Sequence, residues 1–167
     1  MPQNAVVTGT SNEDQTNGPI QNGPLSGLRV LDFSMFMAGP YCSRLLADAG
    51  AEVIKVEPPE GDYMRKSNPL RGNYSGFFGH LNCGKKSITL NLKDPSDRAV
   101  IDALMPSIDV VLENFRPGVT QRLGLTYDDL RALRPDLVYC SVSGYGQTGP
   151  AAQLPAYAPI VHAASGH

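Results

Sequence analysis

The sequence predicts an α/β fold built on a doubly wound, mainly parallel sheet, and three observations predict it. Short apolar runs rich in Val, Leu and Ile alternate with stretches of helical periodicity along the whole body of the chain. The first of these runs is nearly continuous, as in a strand buried on both faces. That run, Leu28 to Phe33, leads through Ala38-Gly39-Pro40 and a helical stretch into a second, Val53 to Val56, which makes a βαβ unit with a right-handed crossover.

The elements follow in order. Pro40 suits the first turn of a helix, where its missing N–H has no partner to lose. Tyr41, Leu45, Leu46 and Ala49 then form an apolar helical stripe, and Gly50 supplies the left-handed stop. Pro58 to Cys83 is crowded with Gly, Pro, Asn and aromatics, shows no periodicity, and reads as a long functional or mobile loop. Lys86 to Leu92 alternates as a third strand. Asp94-Pro95 caps a helix carrying Val100, Ile101, Leu104 and Met105, and Asp109 to Phe115 is a fourth strand. Thr126 and Asp129 form a capping box with Asp in place of Glu, opening a short helix that ends at Arg134-Pro135. Leu137 to Val142 is the fifth strand, and a Gly-rich turn leads to a last helix within Pro155 to Gly166.

Composition narrows the function. The chain has 167 residues, 41% of them hydrophobic, which suits one domain. Residues 1–24 are rich in Asn, Gln, Thr, Gly and Pro, and read as a disordered tail. All 14 Lys and Arg, and all but two (Glu13 and Asp14) of the 16 Asp and Glu, lie from Leu25 onward, so the body is net neutral. A broad nucleic-acid surface would need a clustered basic excess. Three cysteines without a close pair argue against a disulfide framework or a zinc site and suit a reducing cytoplasm. No apolar run approaches the length of a membrane span, and the start of the chain lacks the features of a secretory signal.

Ligands of doubly wound sheets bind beyond the carboxyl ends of the strands. Three loops occupy that edge: Ser34 to Gly39, Asn114 to Gly118 and Ser143 to Gly149. The first lacks the GxGxxG fingerprint, which argues against NAD or FAD, and Glu57 reads as a solvated strand end rather than a ribose-binding acid. Asn114-Phe115-Arg116-Pro117-Gly118, with Arg122 nearby, suits a phosphorylated purine ligand; a turn with a surface arginine is the alternative, and both stay open. Lys85 and Lys86 read as solvated charges. His80 and His162 have no partner motif, and Ser143 and Ser165 lack the GxSxG elbow. No metal-ligand spacing and no nucleophile constellation is present, so the residues alone give a ligand-binding α/β domain.

Taken together, the segments resemble the family III CoA-transferases (the CaiB/BaiF family), which include carnitine and formyl CoA-transferases and the 2-methylacyl-CoA racemases. The matching motifs are Pro24-Leu-Ser-Gly-Leu-Arg-Val-Leu-Asp32, Ala38-Gly-Pro40, Leu45-Leu-Ala-Asp48, Gly50-Ala-Glu-Val-Ile-Lys-Val-Glu57 and Gly61-Asp62. They continue with Asn82, Gly84-Lys85, Leu90-Asn-Leu-Lys93, Glu113-Asn-Phe-Arg-Pro-Gly118, Arg122-Leu-Gly-Leu125 and Ser143-Gly-Tyr-Gly-Gln-Thr-Gly-Pro150.

The resemblance implies that residues 25–167 are the N-terminal part of a Rossmann-like, CoA-binding large domain. It also implies transfer of CoA between an acyl-CoA and a carboxylic acid through an aspartyl-CoA intermediate, with no tightly bound cofactor or metal. Intact members form interlocked homodimers. The matching CoA contacts are Ser34, Met35, Phe36, Met37, Ala38, Leu90, Leu92, Asn114, Phe115 and Arg122, while Tyr157 lines the acyl site. Pro58 replaces a positive residue often found after the second strand. The family's nucleophilic aspartate lies in a Gly-Asp motif downstream of the segment matching Ala156 to Gly166, so this chain is expected to be a fragment with no catalytic residue of its own. Racemases carry a His-Asp pair where this chain has Tyr157-Ala158, which favours the transferase over the racemase alternative. A non-catalytic CoA-binding module is the remaining alternative.

Overall fold

The computed structural model describes residues 23–166. The tail expected over residues 1–24 therefore lies outside the described residues, except for its last two. Of these, Gly23 already belongs to a turn, its carbonyl accepting from Ser26 N at 3.0 Å. The chain then forms β1 (Arg29–Asp32), α1 (Ala38–Asp48), β2 (Glu52–Glu57), a 3₁₀ turn (Tyr63–Lys66), β3 (Leu70–Arg71), β4 (Tyr74–Ser75) and α2 (Gly76–Asn82). It continues through β5 (Lys86–Thr89), α3 (Pro95–Leu104), a 3₁₀ turn (Met105–Ser107), β6 (Val110–Glu113), α4 (Val119–Leu123), α5 (Tyr127–Arg131), β7 (Val138–Ser141) and α6 (Ala158–Ser165).

Five strands make one sheet in the order β5-β2-β1-β6-β7, and every neighbouring pair is parallel. The chain starts at the centre, winds outward to β5, then returns to the other side of β1 as β6. That is the doubly wound topology, with its switch point between β1 and β6. Strand alternation divides the core. Leu31, Phe33, Val56 and Val111 face Ile101, Met105, Leu125 and Leu130 on one side of the sheet. Val30 and Val53 meet Ala47 and Ala51 on the other.

Local signals do what the sequence asks of them. Asp94 caps α3 by accepting from Ser96 N at 2.9 Å. The Thr126–Asp129 box closes both ways, at 3.2 and 3.0 Å. Gly50 takes φ 101° and ends α1. The three cysteines are free thiols.

Two expectations need correction. The buried face of α1 is only partly the expected apolar stripe: Leu46 packs against the core, but Tyr41 is 47% and Leu45 51% exposed. Gly39, Pro40, Ser43 and Ala47 face the sheet instead. The helix sits so close that a Cβ on Gly39 would lie 2.2 Å from Ser34 Cβ, so only small residues fit. The stretch Pro58 to Cys83 is not an unstructured loop. It holds the first 3₁₀ turn, the antiparallel β3–β4 hairpin and α2, capped by Ser75 accepting from Phe78 N at 3.3 Å. Two-residue strands and a seven-residue helix are too short to leave a periodicity. The helix α4, begun by Gly118 at φ 88°, went unread for the same reason.

Ile101 is fully buried at the centre of the larger cluster. Ile101→Ala is expected to destabilise the fold by about 2–5 kcal/mol, read as a lower urea midpoint with an unchanged slope.

Candidate functional site

The carboxyl ends of the five strands form one edge, and the loops leaving β1 and β6 diverge there. Asn114, just after β6, bridges them. Its Oδ1 accepts from Met35 N at 2.9 Å and its Nδ2 donates to Met35 O at 2.7 Å, so both polar groups of one residue's backbone are held. Ser34 to Ala38 and Asn114 are thus brought together across the switch point, although they are far apart in sequence.

Between these anchors the loop is strained and open. Phe36 adopts φ 66°, a left-handed conformation that disfavours a bulky L residue. Its ring is exposed and lies 5.7 Å from that of Tyr63. Met37 and Ala38 are exposed as well. The helix that follows has no side-chain cap and no acidic residue in its first turn. Its positive end therefore faces the edge uncompensated, which suits an anionic or polarised group.

Under the loop lies a set of buried charges. Asp32 Oδ1 accepts from Ser34 N at 2.9 Å and from Ser34 Oγ, while its Oδ2 accepts from Ser43 Oγ at 2.5 Å. Lys85 Nζ donates to Asp32 Oδ2 at 3.1 Å and to Pro40 O and Asn82 Oδ1, both at 2.8 Å. Lys55 Nζ donates to Ser34 O at 2.6 Å and pairs with Asp62 Oδ2 at 3.0 Å. Burial pushes the Lys85 ammonium below its usual range, against the pull of Asp32.

Glu57 and Lys85 therefore depart from expectation. Glu57 is buried, not solvated. Arg65 clamps it with two bonds of 2.6 and 2.7 Å, and Ser87 Oγ (2.6 Å) and Asp62 N (3.1 Å) add two more. Burial raises its pKa, but the bonds from Arg65, Ser87 and the Asp62 N–H outweigh that and hold it at about 2. The Lys85 side chain is 2% exposed, whereas Lys86 is on the surface beside Glu52 at 2.6 Å. Each charge looked solvated because its partners sit on other elements.

The remaining predicted residues are more dispersed. Leu90 follows β5 at the same edge, but its side chain belongs to the core, with Leu92 and Phe115 packed against it. Phe115 N donates to the buried Glu113 at 2.7 Å. Arg122 is exposed on α4 and approaches Gly118. Tyr157 is exposed at the start of α6, just after Ala156, which packs so tightly on Gly144 that a Cβ there would lie 1.9 Å away. His80, given no role, stacks on Tyr41 and meets Arg44 at 2.9 Å. Among the described residues there is no His, Cys, Asp and Glu group that could hold a metal, and no helix long and apolar enough to cross a membrane. The sequence assigned no role to Asp32, Ser43, Lys55 or Asp62. A lone charge inside an apolar strand run was the available signal for two of them.

The profile of CoA-transferase family III matches residues 25–167. The chain belongs to CoA-transferase family III. It is 49% identical over 145 residues to the acetyl-CoA:oxalate CoA-transferase of Acetobacter aceti, covering 86% of this chain and 37% of that protein. It is 43% identical over 145 residues to the human succinyl-CoA:glutarate CoA-transferase, covering 86% and 33%. A crystal structure of a CAIB/BAIF family protein from Brucella suis superposes with a TM-score of 0.82 at 39% identity, covering 87% of this chain and 40% of that one. The Mycobacterium tuberculosis protein Rv3272 gives 0.81 at 42% identity, with the same coverage. This family III chain thus spans roughly a third to two-fifths of the length of these relatives.

Glu57 makes acid stability predictable. Its folded pKa, about 2, lies below the ordinary 4.5, so as pH falls the unfolded chain takes up the proton first. The stabilisation is complete above pH 4.5 and is lost progressively down to about pH 2. With a discount for its half-exposed partner Arg65, it amounts to about 2–3 kcal/mol. Glu57→Gln is expected to flatten that part of the stability–pH curve, measured by urea denaturation between these limits.

Proposed function

We propose that this chain is the CoA-binding part of a CoA-transferase, an enzyme moving CoA between an acyl-CoA and a carboxylic acid through an aspartyl-CoA intermediate. The observation that carries the reading is the Asn114–Met35 clasp at the switch point, found in a chain of this family. In this reading Ser34, Met35, Phe36, Met37, Ala38, Leu90, Leu92, Asn114, Phe115 and Arg122 contact CoA. Leu90 and Leu92 do so through their backbone, since their side chains are engaged in the core. Arg122 meets phosphate, and Tyr157 lines the acyl site.

The nucleophilic aspartate comes from outside residues 1–167. The fully buried carboxylates near the edge support this, because Asp32, Glu57, Asp62 and Glu113 are all occupied by donors or an ion pair. Attack of that aspartate on the thioester forms a mixed anhydride and releases CoA thiolate. The thiolate then attacks the aspartyl carbonyl, giving aspartyl-CoA and the first carboxylate, and the acceptor acid repeats the sequence in reverse. What this chain does is hold CoA so that the thiolate stays near the anhydride between steps. Relatives named for oxalate, D-citramalate and glutarate support dicarboxylic acids as the partners. The transferase is preferred to the racemase because Tyr157-Ala158 supplies no histidine for proton transfer at the α-carbon. A cytoplasmic homodimer completes the proposal, supported by the free thiols and the exposed Tyr41 and Leu45.

Calorimetry of the chain with CoA tests the site. Binding is expected, and Arg122→Ala is expected to weaken it about tenfold, or about 1.4 kcal/mol. Asn114→Ala, which frees the Met35 backbone, is expected to cost at least as much. A folded chain that binds no CoA at millimolar concentration overturns the reading.

A further inference from the structure

Two fully buried ion pairs play no part in the binding scheme above: Lys55–Asp62 and Lys85–Asp32. Their side chains are between 0% and 2% exposed, and two cations balance two carboxylates. For stability alone such a set is a weak choice, since apolar side chains of equal volume often stabilise a core as well or better. What marks this one is where its hydrogen bonds end. Lys55 holds Ser34 O, Asp32 holds Ser34 N and Oγ, and Lys85 holds Pro40 O. Ser34 and Pro40 bracket the residues from Met35 to Ala38, and Asn114 grips the backbone between them at Met35. The left-handed Phe36 lies inside these anchors, and strain of that kind persists only where the surroundings over-determine the backbone.

We propose that the buried Lys55–Asp62 ion pair is a positioning device for the CoA-binding loop. Asp62 fixes the Lys55 ammonium, and Lys55 fixes the Ser34 carbonyl. Asp62 is itself held in the loop after β2, where its N–H donates to Glu57 at 3.1 Å and its Oδ1 accepts from Met64 N at 3.0 Å. The ring of Tyr63, next in sequence, meets that of Phe36, so a second contact ties the same two loops. The pair thereby makes the loop after β1 depend on the loop after β2. This inference rests on the reading of residues 34–38 as CoA contacts.

The test uses Lys55→Met and Asp62→Asn, singly and together, with three readouts: Tm, CoA affinity, and amide hydrogen exchange at residues 35–38. Lys55→Met alone strands the Asp62 carboxylate and lowers Tm. The double variant removes both charges and keeps the cap on Met64, so it recovers most of that loss while leaving Ser34 O without its donor. In the double variant CoA binding is expected to weaken about tenfold or more, with faster exchange at residues 35–38 and unchanged exchange in β1. A double variant with recovered Tm, unaltered CoA affinity and unaltered loop exchange overturns the proposal, because the pair is then purely structural. Failure of the unsubstituted chain to bind CoA sinks the CoA reading instead. In that case the exchange data still decide the positioning role, faster loop exchange upholding it and unchanged exchange overturning it. Lys55→Arg serves where the double variant does not fold: it keeps both charges but displaces the donor, and unchanged loop exchange in it counts against positioning.

Discussion

The carboxyl edge of this sheet depends on charges placed where water does not reach them. A unit pair about 4 Å apart is worth about 1 kcal/mol in water and about 4 kcal/mol at the effective dielectric of a protein surface. Stripping each ion of water costs several kcal/mol. Attraction alone therefore does not hold Asp32, Lys55, Asp62 and Lys85 in place; their hydrogen bonds must complete the set. Most of those bonds end on backbone or hydroxyl groups of the loops that leave β1 and β2 and of the first two turns of α1. The same requirement that makes the charges tolerable also fixes the shape of the edge.

This constraint reaches into α1. Ser43 must come within hydrogen-bond distance of Asp32, and Pro40 O within reach of Lys85, so the helix lies close on the sheet. Small residues therefore face inward, and Tyr41 and Leu45 are turned outward. Phe36, Met37, Tyr63, Tyr74 and Phe77 are exposed as well. Scattered apolar exposure is ordinary on protein surfaces, but the outward turn of Tyr41 and Leu45 on one helix is not explained by this sheet.

Legibility followed the range of the interaction. The five sheet strands were readable because apolar runs report burial directly, and Asp94, Thr126 and Gly50 were readable because a cap acts within a few residues. The switch-point loops and Asn114 could be named from topology and family motifs. Glu57 and Lys85 were misjudged because a charge beside Gly or Pro looks solvated until its partners are known. Those partners lie elsewhere: Arg65 and Ser87 for Glu57, and Asp32, Pro40 and Asn82 for Lys85. The inward face of α1 was misjudged at Tyr41 and Leu45, since apolar size was a poorer guide there than the closeness of the sheet.

By itself the sequence determined the class of fold, the order of the five strands of the main sheet along the chain, the helix ends at Asp94, Thr126 and Gly50, and the family. These depend on local periodicity, local hydrogen bonding and motif spacing. Tertiary structure decided which residues meet at the edge: Asn114 against Met35, Lys55 between Ser34 and Asp62, Lys85 beneath Asp32. Asn114 reaches Met35 only once β6 lies beside β1, and Lys55 reaches Ser34 only once β2 lies on the other side. A buried charge has no stable place until then, because its partners arrive on different elements of the fold.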